Sequence, residues 1–244
     1  MLVLIYVLFT STKNDRTDGF MKSRLQVDAM NMDELNRYGW WRTQVGDLDR
    51  LQDVMVGIGE RLGKPTASRK SKGVVQQLVP VTKKEAFPNS LSSKFETGRF
   101  PLHVDTAYWA TPCRYLILGC VDAGESQRPT KLLDFYSLNL SDVEKDLLFN
   151  SPFLIQNGRR SFYGSVLSRD RSFVRYDPGC MVPANMNSQK IDHILSSERL
   201  ENVSHELFWE KGMVLVIDNW RVLHGRGVQQ KDGRDRELYR VLVA

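Results

Sequence analysis

Short apolar segments separated by polar turns run through most of the chain, and this pattern predicts a protein made mainly of β-strands. We predict seven strands, over residues 73–81, 114–123, 130–136, 172–177, 213–219, 220–226 and 237–244. Many short strands with few helices favour an antiparallel sandwich or barrel over a parallel α/β sheet. No glycine-rich phosphate loop follows any of them, which excludes the Rossmann and P-loop nucleotide-binding folds.

Three segments have helical spacing instead. Apolar residues recur on one side of the segment 47–62, at Leu48, Leu51, Met55, Ile58 and Leu62. Asp47 is placed to cap the start of this helix and Gly63 to end it. A second helix is predicted to begin at Ser141, because Ser141 and Glu144 have the spacing of a capping box. A third is predicted over residues 188–197, and we expect the helices to flank the sheets.

The composition fits one domain. A chain of 244 residues that is 41% apolar can bury a full core without a disulfide or a structural metal. Any metal bound here is therefore predicted to be functional. The net charge of +5 is scattered along the chain, and without a basic stripe we predict no nucleic-acid binding. A modest positive field suits a small anionic substrate or cosubstrate.

Cysteine usage and the first residues bear on location. Three cysteines without C-x-x-C spacing favour a reducing compartment and argue against a zinc finger. The apolar start, "MLVLIYVLFT", is too short to span a bilayer as a helix and no basic residue precedes it. We predict a buried strand or a leader there, and a soluble cytoplasmic protein with no membrane association. The oligomeric state stays open at this level.

The segment "PLHVDTAYW" (101–109) contains two good metal ligands. Alternate side chains of a strand share a face, so His103 and Asp105 can meet one ion. Taken alone, this H-x-D pattern is a weak signal and is more typical of a surface strand end with two polar residues. A third ligand would come from few candidates, because the chain has four histidines. His193 and His205 lie among charged residues and are expected to be solvated, whereas His224 follows an apolar strand and a turn.

Two histidines and a carboxylate form the facial triad of non-haem Fe(II) oxygenases, which leaves open positions on the metal. The same ligands can hold zinc with a water for hydrolysis, and the triad alone does not choose. Arg236 and Arg240 are four apart in or beside the last strand and share a face there. A guanidinium grips a carboxylate with two hydrogen bonds, so these residues suit a dicarboxylate cosubstrate, although isolated arginines are usually surface residues.

The segments "FPLHVD", "VLVIDNWRVLHGR" and "RELYR" together resemble the clavaminate synthase-like superfamily, which includes taurine dioxygenase and γ-butyrobetaine hydroxylase. The segment "DNWRVLHGR" is especially similar to the γ-butyrobetaine hydroxylase type. The resemblance covers residues 45–244 of a single domain, 1–244, and leaves 1–44 as an N-terminal extension. It implies a double-stranded β-helix (jelly roll) with flanking helices and an oxygenase that uses Fe(II), 2-oxoglutarate and O2.

The resemblance also assigns residues. The implied iron ligands are His103, Asp105 and His224. Thr130 in "RPTKLLDF" and Arg236 are the implied contacts to 2-oxoglutarate, and Arg240 contacts either the cosubstrate or an anionic group of the substrate. Relatives that halogenate replace the ligand aspartate by a small residue. The presence of Asp105 therefore favours hydroxylation, with desaturation or ring formation as related outcomes, and release of succinate and CO2.

The substrate is less well specified, and we expect an amino acid, a natural-product intermediate or a similar small polar metabolite. The segment 89–100 precedes the ligands, and its polar residues Asn89, Ser90 and Ser92 are either substrate contacts or part of an ordinary polar loop. Arg175, in "SFVRYDPGCM", is predicted to pair with a substrate carboxylate, the alternative being an ion pair with Asp177 or Asp170.

Two further readings stay open. Tyr108 and Trp109 either wall the pocket or pack in the core. A zinc hydrolase with the same triad and a non-catalytic ligand-binding protein are the competing functions. A hydrolase would need a carboxylate placed as general base, which the sequence does not identify, and an intact triad argues against a protein without activity.

Overall fold

Antiparallel sheets dominate the computed structural model, which describes residues 30–68, 73–86 and 90–244. The strands in these residues are β1 Trp40–Gln44, β2 Pro65–Thr66, β3 Val75–Leu78, β4 Tyr115–Asp122, β5 Thr130–Asp134, β6 Phe153–Asn157, β7 Arg160–Gly164, β8 Met181–Pro183, β9 His205–Leu207, β10 Met213–Asp218, β11 Val222–Arg226 and β12 Glu237–Val243. The helices are α1 Met32–Tyr38, α2 Leu51–Leu62, α3 Leu91–Phe95, α4 Asp142–Asn150, α5 Met186–Ile194 and α6 Ser197–Asn202. Short 3₁₀ turns cover Leu48–Arg50 and Phe135–Ser137. The prediction of a mainly β protein with flanking helices is confirmed.

The strands form three sheets. The largest has the order β1–β10–β4–β12–β2, and β3 also pairs with β12. A second sheet has the order β11–β5–β9 and a third the order β7–β6–β8. Neighbours in the largest sheet are far apart in the chain, so this sheet forms only when the N-terminal and C-terminal parts of the domain meet.

Alternation along β4 explains how the layers pack. Ile117 faces α2, where it joins Met55 and Ile58 in one apolar cluster. Leu116 points to the opposite face and packs in a second cluster with Leu132 of the β11–β5–β9 sheet. Complete burial of each such side chain contributes roughly 1.5–3 kcal/mol. The helix thus covers the outer face of the large sheet, and the second sheet covers its inner face.

The helix predictions hold where the signals are local. The Asp47 side chain accepts a hydrogen bond from the Asp49 amide, and α2 follows this turn to Leu62. Ser141 and Glu144 form the predicted capping box at the start of α4. The third helix was predicted two residues too late, because Asn185 caps it and helical residues begin at Met186.

The capping box gives a test of local stability. Ser141→Ala is expected to lower the free energy of unfolding by about 1 kcal/mol, because the Glu144 amide loses its side-chain acceptor. Urea unfolding followed by circular dichroism measures the change. Glu144→Ala removes the reciprocal bond, so the double variant should lose less than the sum of the two singles. Additive losses would contradict the coupling.

The prediction of a strand over 172–177 was wrong. In the described residues this segment makes a single isolated bridge, between Leu167 and Val174. The Val174 amide donates to the Trp220 carbonyl and the Arg175 amide to the Val166 carbonyl. Successive amides therefore find partners in different segments, and no ladder forms.

Several strands were not predicted, namely β1, β2, β6, β7, β8 and β9. The β6–β7 hairpin has a signal that could have found it. Its two turn residues are Gly158 and Arg159, and Gly158 has a φ of 62°, the positive value that glycine supplies at the first position of a two-residue hairpin turn. β9 and β8 have three residues each, too few to show alternation.

Among the described residues, no helix has the length and apolar character needed to cross a bilayer. The apolar first ten residues lie outside the described residues, and what was predicted for them stays a prediction. The two histidines expected to be solvated, His193 and His205, are exposed, and His205 stacks on Trp40 at 6.0 Å.

Candidate metal centre

A cavity of about 760 Å³ opens between the two facing sheets. All six residues predicted to bind a metal or the cosubstrate line it: His103, Asp105, Thr130, His224, Arg236 and Arg240. Apolar side chains from the inner face of the large sheet, among them Leu116 and Leu118, form part of its wall. The cavity therefore joins a polar cluster to an apolar surface, as small-molecule sites usually do.

The main chains of His103 and His224 pair directly. The amide of each residue donates to the carbonyl of the other at 2.9 Å, and the ring centroids lie 4.5 Å apart. The segment 101–109 is not the strand that its pattern suggested. It makes this one bridge and then turns at Asp105, with Thr106 at a φ of 58°.

The three predicted ligands converge. His103, Asp105 and His224 each offer one ligand atom, and these atoms all lie within 4.8 Å of one another. The His103 Nδ1 atom lies 2.9 Å from the Pro101 carbonyl oxygen, so its proton is held there and Nε2 is left to face Asp105 at 3.8 Å. Metal-binding histidines are commonly oriented through their other nitrogen in this way.

The charge states also suit a cation. Burial lowers the pKa of His224 to about 3, which keeps this imidazole neutral. Burial pushes the pKa of Asp105 up, but the positive charge of Arg240 and the close contact with His103 lower it further, so the carboxylate is ionised. A neutral imidazole and an ionised carboxylate are the forms that bind metals.

Protein groups alone do not satisfy the triad. Burial opposes the charged form of His103, yet the neighbouring carboxylates of Asp105 and Asp177 raise its pKa above the ordinary value. The Nδ1 atom of His224 is buried and has no hydrogen-bond partner in the described part of the chain. A cation bound by the triad would compete with the proton on His103, and the donor set fits a metal with open positions.

Arg240 pairs with the carboxylate of the triad. Its Nη1 atom lies 3.1 Å from Asp105 Oδ2, and its Nη2 atom donates to Gln76 Oε1 at 2.6 Å. Gln76, in β3, was not identified from the sequence. The arginine is thus held between Asp105 and the edge strand, with its guanidinium at the cavity wall.

Arg236 is buried without a carboxylate partner among the described residues. It is 7% exposed, and its Nη1 atom donates to the Arg128 carbonyl. Burial lowers its pKa to about 9. Trp209, which the sequence did not point to, lies beside it at 5.8 Å and donates from Nε1 to Thr130 Oγ1 at 3.0 Å. A buried, unpaired guanidinium at a cavity wall is costly unless an anion compensates it.

Arg175 does not line the cavity. Its guanidinium donates to the carbonyl oxygens of Ala107, Trp109 and Ala110, and its central carbon lies 5.1 Å from the Phe162 ring and 5.2 Å from the Phe173 ring. No ion pair with Asp177 or Asp170 forms in the described residues. Arg175 therefore holds the loop that follows Asp105, and the predicted substrate contact is not supported.

Asp177, two residues further on, does line the cavity. It is 9% exposed, its Oδ1 atom accepts a hydrogen bond from the Gly179 amide, and within the described residues it has no cationic partner. From the sequence, Asp177 was predicted only as a possible ion-pair partner of Arg175. A buried carboxylate that faces a cavity is a candidate contact for a positive group.

The other residues predicted to contact the substrate or wall the pocket do not all lie at the cavity. Asn89 lies outside the described residues. Ser92 lies in α3 and lines the cavity, and Ser90 lines it too while accepting the capping hydrogen bond from the Ser93 amide. Tyr108 also lines the cavity, whereas Trp109 packs against an apolar cluster.

Two comparisons bear on this arrangement. Residues 140–242, which include His224, Arg236 and Arg240, match the model of the taurine catabolism dioxygenase TauD, TfdA family. The fold is similar to crystal structures of the non-haem iron oxygenase OrfP with Fe and α-ketoglutaric acid and of an asparagine oxygenase with Fe(II), 2S,3S-3-hydroxyasparagine and succinate.

These likenesses extend over most of each chain. The OrfP structure is 21% identical, with 94% of this chain and 80% of that chain covered and a TM-score of 0.66. The asparagine oxygenase is 19% identical, with 91% and 79% covered and a TM-score of 0.71. At such identities the likeness is one of fold. The C-terminal part of the chain is thus similar to the TauD/TfdA family, and the chain shares its fold with these non-haem iron oxygenases.

Proposed function

We propose that this protein hydroxylates an unactivated C–H bond of an amino acid or a similar small polar metabolite, and that its fold is a double-stranded β-helix in a cytoplasmic enzyme. The observation that carries the proposal is the triad of His103, Asp105 and His224 in one cavity with a buried Arg236 that has no carboxylate partner among the described residues. With Fe(II) bound, O2 and 2-oxoglutarate would convert the substrate C–H to C–OH, with release of succinate and CO2.

The chain's own groups divide this work. His103, Asp105 and His224 would hold the metal on one side and leave the other side open to the cavity. Arg236 would bind the far carboxylate of 2-oxoglutarate, because the cosubstrate supplies the anion that this guanidinium lacks. Thr130, already oriented by Trp209, would contact the same carboxylate through its hydroxyl oxygen. The apolar wall keeps water from the reacting bond.

The charges of the cavity favour a substrate with a positively charged group. Asp177 lines the cavity and lacks a cationic partner in the described residues, whereas Arg240 is already paired with Asp105. A volume of about 760 Å³ accommodates 2-oxoglutarate and a small metabolite together. Two structures of similar fold hold hydroxylated amino acids, (3S)-hydroxy-L-Arg with OrfP and 2S,3S-3-hydroxyasparagine with the asparagine oxygenase.

The zinc hydrolase is the weaker alternative. Asp177 supplies a carboxylate in the cavity, as a hydrolase would need, but the family match is to dioxygenases and Arg236 suits a dicarboxylate. Activity that persists without oxygen, in a protein that retains zinc on purification, would favour hydrolysis. A non-catalytic binding role would be favoured if variants of the triad kept full biological function.

The test is turnover with a panel of amino acids. Purified protein is loaded anaerobically with Fe(II), mixed with 2-oxoglutarate and air, and assayed for succinate and for a mass gain of one oxygen in the substrate. We expect at least one amino acid to raise succinate formation above the level without substrate. The proposal fails if folded, iron-loaded protein forms no succinate with any member of a broad metabolite panel.

Asp177 gives a specific prediction for the substrate. Asp177→Asn is expected to raise the substrate KM roughly 10- to 100-fold, because a charged hydrogen bond shielded from water contributes roughly 1.5–3 kcal/mol. Succinate formation without substrate should stay near the wild-type rate. Asp170→Asn, at an exposed position in the neighbouring turn, is the matched control. An unchanged substrate KM in the Asp177 variant would remove this residue from the binding site.

A further inference from the structure

The side chain of Asn219 holds the main chain of Asp105. Asn219 follows β10 and is completely buried. Its Oδ1 atom accepts a hydrogen bond from the Asp105 amide at 2.7 Å, and its Nδ2 atom donates to the Asp105 carbonyl at 3.0 Å. One amide thus satisfies both main-chain polar groups of Asp105, as a neighbouring strand would in a sheet.

A third hydrogen bond extends this support across the turn. Asn219 Nδ2 also donates to the Cys113 carbonyl at 2.7 Å, and the Cys113 amide donates to Thr106 Oγ1 at 2.8 Å. Thr106 has a φ of 58°, a left-handed conformation that a β-branched residue rarely adopts. Such a conformation persists only where its surroundings hold it. The turn that carries Asp105 is therefore held from both sides.

All three members of the triad depend on one short segment, residues 219–224. His224 lies in this segment, and His103 is paired with His224 through reciprocal main-chain hydrogen bonds. Asp105 is held by Asn219, at the start of the same segment. These contacts involve protein atoms only, so they set the positions of the three donor groups before a cation arrives. We propose that Asn219 is a positioning residue that preorganises the Asp105 carboxylate for metal binding. The inference rests on the proposed metal-binding role of the triad.

The amide group suits this task because it combines an acceptor with two donors on one rigid plane. Asn219→Asp keeps the shape but places oxygen against the carbonyl oxygens of Asp105 and Cys113. Asn219→Ser is a milder change that keeps a hydroxyl but is too short to hold all three partners. Loss of a partner that orients a metal ligand typically lowers metal affinity by about 10- to 100-fold, and we expect a loss of this order for Asn219→Asp.

The experiment measures metal affinity and local order rather than turnover. The metal-free full-length protein is titrated with Co(II), followed by its visible absorption, and amide hydrogen exchange is measured on residues 103–109 without metal. We expect Asn219→Asp to weaken Co(II) binding by about 10- to 100-fold and to speed exchange in this segment. Asn219→Ser should change Co(II) affinity and hydrogen exchange in the same direction but by less. This variant replaces Asn219→Asp in the test if the aspartate variant does not fold.

Leu148→Ala is the matched control for a loss of stability alone. Leu148 is completely buried in α4 and is not among the residues that line the cavity. This variant should lower Tm and bind Co(II) as the wild type does. If both Asn219 variants bind Co(II) as tightly as the wild type, or if Leu148→Ala loses as much affinity, Asn219 has only a structural role. A wild-type protein that binds neither Co(II) nor Fe(II) would overturn this inference and the proposed function together.

Discussion

Asp105→Ala is expected to lower iron affinity and substrate hydroxylation by more than about 100-fold. Loss of a residue that only orients a metal ligand costs up to about 100-fold in metal affinity, and loss of the ligand itself should cost more. The change removes the sole carboxylate of the triad, and it also leaves the Arg240 guanidinium without its partner at 3.1 Å. An uncompensated positive charge would then face the metal and repel it. Metal content after anaerobic loading, measured with succinate formation on the same sample, separates loss of metal from loss of chemistry.

Asp170→Asn is the control for removing a carboxylate elsewhere, because Asp170 is exposed and its hydrogen bonds within the described residues are to Ser168 and Ser172 of its own turn. It should leave metal content and turnover unchanged. Full metal loading and turnover in the Asp105 variant would show that Asp105 is not a ligand. Full loading without turnover would also contradict the prediction, since affinity is expected to fall first.

Arg236→Ala is expected to raise the KM for 2-oxoglutarate by about 100-fold, because it removes a guanidinium that suits two charged hydrogen bonds to a carboxylate. The substrate KM should change little. Arg236→Lys should recover part of the loss, since an ammonium keeps the charge but not the planar fork. Steady-state kinetics with varied 2-oxoglutarate, supported by anaerobic titration calorimetry, measures the effect.

Arg234→Ala is the matched control two residues away. Arg234 is exposed and pairs with Asp122 at the surface, and such exposed pairs contribute little. It should leave the requirement for 2-oxoglutarate unchanged. An Arg236 variant with the same requirement as the wild type would remove Arg236 from the cosubstrate site.

Local signals explain which parts of the fold were predictable. The capping box of Ser141 and Glu144 and the turn at Asp47 depend on residues two or three apart, so their geometry follows from the sequence. The segment 172–177 shows the limit of such signals. Its alternation is genuine, but its amides pair with residues from separate parts of the chain, and pattern alone does not reveal the partners.

Arg175 and Asp177 show the same limit within the site. Both are charged and buried, and they lie two apart in the same segment. Arg175 is turned toward carbonyl oxygens of residues 107–110, while Asp177 reaches the cavity. The partners of Arg175 precede it by 65–68 residues, so only the folded chain shows which side chain is taken up by the protein itself.

By itself, the sequence determined the residue types of the candidate centre, their spacing in H-x-D and R-x-x-x-R, the mainly β character of the chain and the superfamily that it resembles. Only the tertiary structure decided that His103 pairs with His224, that Arg240 reaches Asp105, and that Asn219 supports Asp105 across 114 residues. The reason is physical. Side-chain direction depends on the register and pairing of segments distant in the chain, and these are settled only when the sheets close on one another.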